Sequence, residues 1–287
     1  MNNVNKRAAA IALAFFAYLP GLRGADRISV KLTGGLNYAA FGDVNAGTRG
    51  YLDYWKDAAL EAGGVGTDRT KSLHTGALGA IDVIYKIDAS YSLGLGVGYV
   101  RARNTSSMII SYPDEPGATI GSVSPDVRAV PVRLSVFNFI PIHPGIRASF
   151  VLGLDTYFAE FRSSCVPAGD GDSFRQKAHA VGVGVRYGAG LEIKLASHLD
   201  FVVEGQGCYA RVRGFKGTLE AGEISSPDAA NGSLYYWDET AGSVISKSYP
   251  TVMVQATEPS GEDISNVRKA RVDFSGFSVL AGFKIRL

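Results

Sequence analysis

Charged residues recur at alternate positions within otherwise apolar segments of this chain. Nine of them form the set of interest: Lys31, Asp82, Arg133, Asp155, Arg186, Glu192, Glu204, Lys284 and Arg286. Successive side chains of a strand point to opposite faces, so these charges share one face while Val, Leu, Ile and Phe share the other. Because unpaired buried charge is very costly, we expect these side chains to form ion pairs along a narrow polar interior.

Distance from the strand ends predicts particular partners. Asp155 and Arg186 lie equally far from the same end of neighbouring predicted strands, and Lys31 and Asp82 also lie at similar heights. In the last segment, Lys284 is expected to meet the acids of the segment before it, and the same holds for Arg286. Adding Arg147 and two further lysines makes the inner face richer in cations than in anions. Two hypotheses remain, a closed ion-pair network and a narrow, weakly anion-preferring pore.

Other kinds of chemistry find little support in the sequence. The four histidines stand without a serine and a carboxylate at triad spacing, and Cys165 and Cys208 lack the close ligand spacings of a zinc site. The motif Gly94-x-Gly96-x-Gly98 lies inside a strand pattern, whereas the dinucleotide fingerprint needs a strand-to-helix turn. We therefore expect no catalytic residues, no cofactor and no metal. A disulfide between the two cysteines stays open.

Eight segments with period-two alternation must position the charges. They span residues 27–40, 75–87, 91–100, 130–139, 146–158, 179–195, 199–210 and 273–287. Short turns join segments two to three, four to five and six to seven, and the other connections are long. This layout predicts an all-β fold, an eight-stranded antiparallel up-and-down transmembrane β-barrel with short periplasmic turns and long extracellular loops. Two more strands could come from the last long connection.

The ends and composition of the chain point to export. Residues 1–24 combine Lys6 and Arg7 with an apolar run, which is typical of a secretory signal peptide. Residues 25–287 would then form the mature barrel in the cell outer membrane. No later stretch has the apolar length of a transmembrane helix. The net charge of +2 gives no sign of a nucleic-acid partner.

The long connections contain two candidate interaction sites. In the first, "TRGYLDYWKDAALEAGG" places Tyr51, Tyr54 and Trp55 at helical spacing. This predicts a short helix that either caps the barrel mouth or presents aromatic residues to an unidentified extracellular ligand. Arg101 and Arg103 follow Tyr99 on the outward face, where they either reach the phosphates of lipopolysaccharide or enter solvent.

The whole pattern resembles the small bacterial outer-membrane barrels typified by the transmembrane domain of outer-membrane protein A and by the outer-membrane protein W type. The final strand is similar to the signal that the barrel assembly machinery reads, with Phe283, Ile285 and Leu287 as its apolar positions. That signal usually closes on Phe, and this chain closes on Leu. The resemblance implies outer-membrane lipid, lipopolysaccharide and the assembly machinery as partners.

These observations predict a non-enzymatic outer-membrane barrel with a structural or surface-interaction role. One alternative is the narrow pore for small solutes that the cation-rich inner face would favour. A second alternative, a lipid-modifying outer-membrane enzyme, lacks a recognisable set of catalytic residues.

Overall fold

The computed structural model describes residues 27–114, 118–167, 173–222, 228–241 and 246–287. The expected signal peptide, residues 1–24, lies outside the described residues. The described part contains one helix, α1 (Gly42–Glu61). The strands are β1 (Ile28–Ala39), β2 (Val65–Arg69), β3 (Thr75–Lys86), β4 (Tyr91–Arg103), β5 (Ser106–Ser111), β6 (Ala118–His143), β7 (Ile146–Val166), β8 (Phe174–Lys194), β9 (Leu199–Arg213), β10 (Lys216–Ala221), β11 (Asp228–Ala241), β12 (Lys247–Gln255), β13 (Ile264–Lys269), β14 (Arg271–Asp273) and β15 (Gly276–Arg286).

Eight of these strands close into a ring in which every neighbouring pair is antiparallel. The order around the ring is β1, β3, β4, β6, β7, β8, β9 and β15, and β15 pairs with β1 to close it. The structure thus confirms the predicted eight-strand count. The last long connection does add strands, but they lie outside the ring.

The strands of the ring are strongly staggered. Partner residues followed once around the ring lead from Ser29 back to Ala39 on the same strand, an offset of ten residues. With a rise of about 3.3 Å per residue and a strand spacing of about 4.8 Å, this offset corresponds to a tilt of about 40°. Eight strands at such a tilt leave an interior that side chains can fill.

The pattern of exposure reverses along the strands of the ring. Near the short turns, apolar side chains such as Leu152 and Leu154 point outward and are exposed, while Asp155 points inward and is buried. Nearer the long connections, Phe161 points inward and is buried, and Arg162 points outward. The lower part of the ring is therefore apolar outside and polar inside, and the upper part is the opposite.

This reversal explains why the sequence prediction made three strands too short. β6 begins at Ala118 rather than 130, β7 continues to Val166 rather than 158, and β8 begins at Phe174 rather than 179. The added segments keep strand geometry, but most of their apolar residues, such as Val127 and Phe161, lie on the inner face. A search for an outward apolar face therefore misses them, and the expected third long loop is mostly an extended hairpin.

A cap covers the upper end of the ring. It consists of α1 and the β11–β12 hairpin, and β13 pairs with β11 on its other edge. The helix predicted in the first connection is present and begins earlier than expected, at Gly42. Its close packing on β12 needs glycine, since a Cβ at Gly50 would lie 1.9 Å from the Pro250 carbonyl oxygen. Among the described residues, no helix is long and apolar enough to span a membrane.

Candidate functional site

Six of the nine sequence-predicted charges meet at mid-height inside the ring. We call this group the central ion cluster, and it consists of Lys31, Asp82, Arg133, Asp155, Arg186 and Glu204. All six are at most 3% exposed. Six different strands contribute one residue each, and each side chain projects inward because alternate residues of a strand face the interior. The cluster holds three cations and three carboxylates, so it is electrically balanced.

The central ion cluster is connected by short contacts. Lys31 Nζ lies 2.6 Å from Glu204 Oε1 and 3.8 Å from Asp82 Oδ2. Arg186 Nε lies 3.1 Å from Asp155 Oδ2. The guanidinium of Arg133 lies 3.8 Å from Asp82 and 3.9 Å from Asp155, so it joins the two halves.

Neutral side chains extend the central ion cluster. Gln206 accepts a 2.8 Å hydrogen bond from Arg133 Nη2 and donates a 2.7 Å bond to Glu204 Oε2. Arg186 Nη2 donates to Ser135 Oγ at 2.7 Å. Space for Asp82 comes from Gly96 on the neighbouring strand, where a Cβ would lie 2.1 Å from Asp82 Oδ1. The glycine-rich inner face of β4 thus makes room for charge and holds no nucleotide motif.

The other three predicted charges lie lower, near the short turns. Together with Arg147 and Asp200 they form a second group, which we call the lower ion cluster. It consists of Arg147, Glu192, Asp200, Lys284 and Arg286. Arg147 Nη2 lies 2.5 Å from Glu192 Oε2 and 3.3 Å from Asp200 Oδ2. Arg286 also pairs with Asp200. Both carboxylates are buried, whereas the two arginines reach toward the open end.

One predicted pairing is wrong. Lys284 pairs with Glu192 on β8, at 3.0 Å, and not with an acid of β9 as expected. Asp200 is the backbone partner of Lys284 on β9, but its carboxylate is taken by Arg147 and Arg286. Asp200 is one of the two acids of that predicted segment, although it was not among the nine charges. The signal for it was present, because it alternates with Leu199 and Phe201 and so has the inward parity.

An apolar layer closes the ring above the central ion cluster. Tyr157 and Phe274 stack at 5.5 Å, and Phe41 packs edge-on against Phe274 at 5.7 Å. Leu78, Val100 and Ala210 belong to the same buried group. In the described part of the chain, the void between this layer and the cluster measures about 20 Å³, which is room for a single water.

A cavity of about 260 Å³ lies beneath α1. Its walls carry Tyr51 and Tyr54 from the helix, Phe174 from β8 and Tyr249 from β12. Tyr51 and Phe174 are 5.9 Å apart, and Tyr54 and Tyr249 are 5.6 Å apart, both edge to face. The helix therefore has a buried side that includes Leu52, and an aromatic side that lines this cavity. The cavity is just below the usual size for drug-like ligands.

The predicted surface residues lie on the outward face. Arg101 and Arg103 follow Tyr99 on β4, and Arg101 Nη2 lies 2.9 Å from Asp126 Oδ2. The proposed assembly-signal residues point outward from β15, where Phe283 is 46% exposed. Leu287 follows that strand, and its backbone N–H donates to the Ile28 carbonyl at 3.0 Å.

Cys165 and Cys208 are both free, so the disulfide that the sequence left open is absent. Cys165 is buried near Ser163, and the Cys208 thiol donates to the Phe274 carbonyl at 3.0 Å. Among the described residues, no three His, Cys, Asp or Glu side chains are grouped as metal ligands would be.

Comparison with known proteins shows a distant structural likeness. No family model matches the chain, and no characterised relative matches it in sequence. Among solved structures, it is similar to the outer membrane protein OprG from Pseudomonas aeruginosa. The match covers 92% of this chain and 98% of that chain at 11% identity, with a TM-score of 0.35. A likeness this distant says nothing about what the chain binds.

Proposed function

We propose that this protein is a non-enzymatic, integral outer-membrane β-barrel whose interior is closed to solutes. Its role would be structural, or one of surface interaction through the capped end. The observation that carries this proposal is the reversal of polarity on the outer face of the ring. Apolar side chains can cover a water-facing surface only at a cost, whereas a lipid bilayer favours them.

The height of the outward apolar surface supports a membrane setting. On β8, outward residues from Val181 to Ile193 are apolar or tyrosine, and Val183 is 75% exposed. Twelve residue steps at about 3.3 Å each, tilted by about 40°, span about 30 Å along the ring axis. That height matches the hydrocarbon thickness of a bilayer, about 30 Å.

A closed interior fits the packing better than a pore does. The apolar layer and the central ion cluster lie in series, so a solute would have to displace both. The central ion cluster is balanced. The lower ion cluster holds three cations against two carboxylates, and its cations line a cavity of about 410 Å³ at the open end. These contacts support a closed interior over an anion-preferring pore.

Planar-bilayer conductance tests the closed interior. We expect the refolded protein, shown to resist carbonate extraction from vesicles, to give no steady single-channel current. The triple variant Arg133→Ala, Arg186→Ala and Tyr157→Ala should raise current, since it removes side chains from both the central ion cluster and the apolar layer. Lys86→Ala is the matched control, because Lys86 is an exposed cation at the open end and should change nothing.

Two results would contradict the proposal. A steady, anion-selective current from the unaltered protein would establish the pore, and loss of that selectivity in Arg133→Ala would assign it to the interior. A change in lipopolysaccharide mass after incubation with the protein would instead establish a lipid-modifying enzyme.

A further inference from the structure

Six cations form a patch on the outward face of four neighbouring strands. We call it the outer basic surface, and it consists of Arg101, Arg103, Arg128, Arg162, Arg175 and Lys177. They lie on β4, β6, β7 and β8, directly above the outward apolar residues of the same strands. Three strand spacings of about 4.8 Å make the surface about 14 Å wide.

Like charges face each other within the outer basic surface. Arg101 is the direct cross-strand partner of Arg128, and Arg162 is the partner of Lys177. Like charges placed directly opposite one another destabilise a sheet. A protein that keeps two such pairs side by side gains most when an anion lies between them.

The carboxylates within the surface offset only part of this charge. Asp126 bridges Arg101 and Arg128, with Arg128 Nη2 at 2.5 Å. Glu160 bridges Arg162 at 2.7 Å and Lys177 at 3.7 Å.

Arg103 and Arg175 have no ion pair within the described part of the chain, and both are exposed. Their side chains line one concavity of about 380 Å³, together with Arg128, Arg162 and Lys177. Ser124, Ser164 and Thr218 supply hydroxyl groups there. Asp126 and Glu220 also line the concavity, so its five cations outnumber its carboxylates by three. Phosphate oxygens accept hydrogen bonds from both arginine and hydroxyl donors, so this cation excess and the hydroxyl groups suit a phosphate group.

We propose that the outer basic surface binds the phosphate groups of a glycolipid that carries at least two phosphates on its head group. This inference rests on the proposed function, because membrane insertion sets these cations at the level of the lipid head groups. The apolar residues below would hold the acyl chains, and the arginines would hold the phosphates. The width of the outer basic surface favours a head group whose phosphates are separated, since the cations extend across four strands.

The test compares lipid A in its bis-phosphate and monophosphate forms. The protein is first inserted into phosphatidylcholine vesicles and checked for resistance to carbonate extraction, and lipid A binding is then titrated at low and high salt. We expect the bis-phosphate form to bind better, and high salt to weaken it. The triple variant Arg162→Gln, Arg175→Gln, Lys177→Gln should lower apparent affinity by about tenfold or more.

A charge-matched control removes three exposed cations from other elements, as Arg49→Gln, Lys71→Gln and Lys269→Gln. It should bind lipid A like the unaltered protein. Equal binding of the two lipid A forms, equal loss in both triple variants, or equally tight binding of inorganic phosphate would overturn the inference. Failure of the unaltered protein to insert would instead contradict the proposed function, so the two failures are distinguishable.

Discussion

At the scale of single residues, the stability of the interior depends on buried charges that are favourable only when both partners of a pair are present. Lys31 and Glu204 are both almost fully buried, and their 2.6 Å contact is the shortest link in the central ion cluster. Removing one partner of a buried pair leaves an uncompensated charge, which typically costs about 3–5 kcal/mol. Replacing both partners by residues of similar volume is often neutral.

This difference gives the first prediction. Glu204→Gln should lower the free energy of unfolding by about 3 kcal/mol or more, because Lys31 then keeps only Asp82 at 3.8 Å. Adding Lys31→Met should recover most of the loss, since the remaining cluster is again balanced. Denaturant unfolding in detergent micelles measures both. If the double variant proves less stable than Glu204→Gln alone, Lys31 acts mainly through its packing against Phe137.

At the scale of elements, two contacts fix the helix over the mouth. Near its start, the buried Asp43 accepts hydrogen bonds of 2.5 and 2.9 Å from Arg268 and one of 2.9 Å from the Arg271 N–H. Near its end, Asp57 accepts from Lys247 at 2.7 Å and from the Tyr249 hydroxyl at 2.9 Å. Helix and hairpin should therefore move as one unit.

Close packing between the helix and β12 gives the second prediction. Gly50→Ala should loosen the cap, because the new Cβ would collide with the Pro250 backbone. Gly42→Ala is the matched control, since its Cβ meets nothing within 4 Å. The two tryptophans of the chain, Trp55 and Trp237, both lie in the cap, so tryptophan emission reports on it. Unchanged emission in Gly50→Ala would show that the helix does not need this close approach.

The contact between Asp57 and Lys247 gives a pH prediction. The hydrogen bond from Lys247 lowers the pKa of Asp57, and the same bond raises the pKa of Lys247. A depressed carboxyl pKa contributes stability above its unfolded value of about 3.9, and this is lost as pH falls through the folded value. A raised lysine pKa contributes stability below about 10.4, and this is lost as pH rises through the folded value.

Tryptophan emission should therefore stay constant between about pH 5 and 9 and change below about pH 4. Asp57→Asn removes the titrating group and should lose the acid step. Glu258→Gln, a change at an exposed acid outside the cap contacts, should keep it. A step that persists in Asp57→Asn would assign the acid transition to another carboxylate.

At the scale of the whole molecule, the sequence predicted the lower half of the ring far better than the upper half. Outward apolar residues such as Leu36 and Val279 revealed the eight strands, because the outward side chains of the lower ring are regularly apolar. Above it the apolar residues, such as Phe161 and Ala178, lie on the inner face, so the outward apolar pattern is lost. The outer basic surface was missed beyond Arg101 and Arg103 for the same reason.

Residues far apart in the chain also limited the prediction of side-chain partners. Strand parity places Lys284 inside, but it does not choose between Glu192 and Asp200 as its partner. In the structure Asp200 pairs with Arg147 and Arg286, and Lys284 pairs with Glu192. The cap could be predicted as a helix but not as a unit with β11 and β12. The β11–β12 hairpin contacts α1 over the mouth through residues that are far apart in the chain, and no local sequence pattern predicts such contacts.

The boundary between the two outer surfaces gives the last prediction. Leu152 lies midway along the outward apolar part of β7, where it is 61% exposed. Leu152→Arg should lower stability in vesicles by about 2–4 kcal/mol, the usual effect of a cation at the bilayer midplane. Val166→Arg places the same side chain on the same face of the same strand, above the boundary, at a residue that is 48% exposed and faces Ser122, and it should change stability by less than about 0.5 kcal/mol. Equal effects of the two substitutions in vesicles would show that no lipid boundary lies between them, and the outward apolar surface would then need a protein partner to cover it.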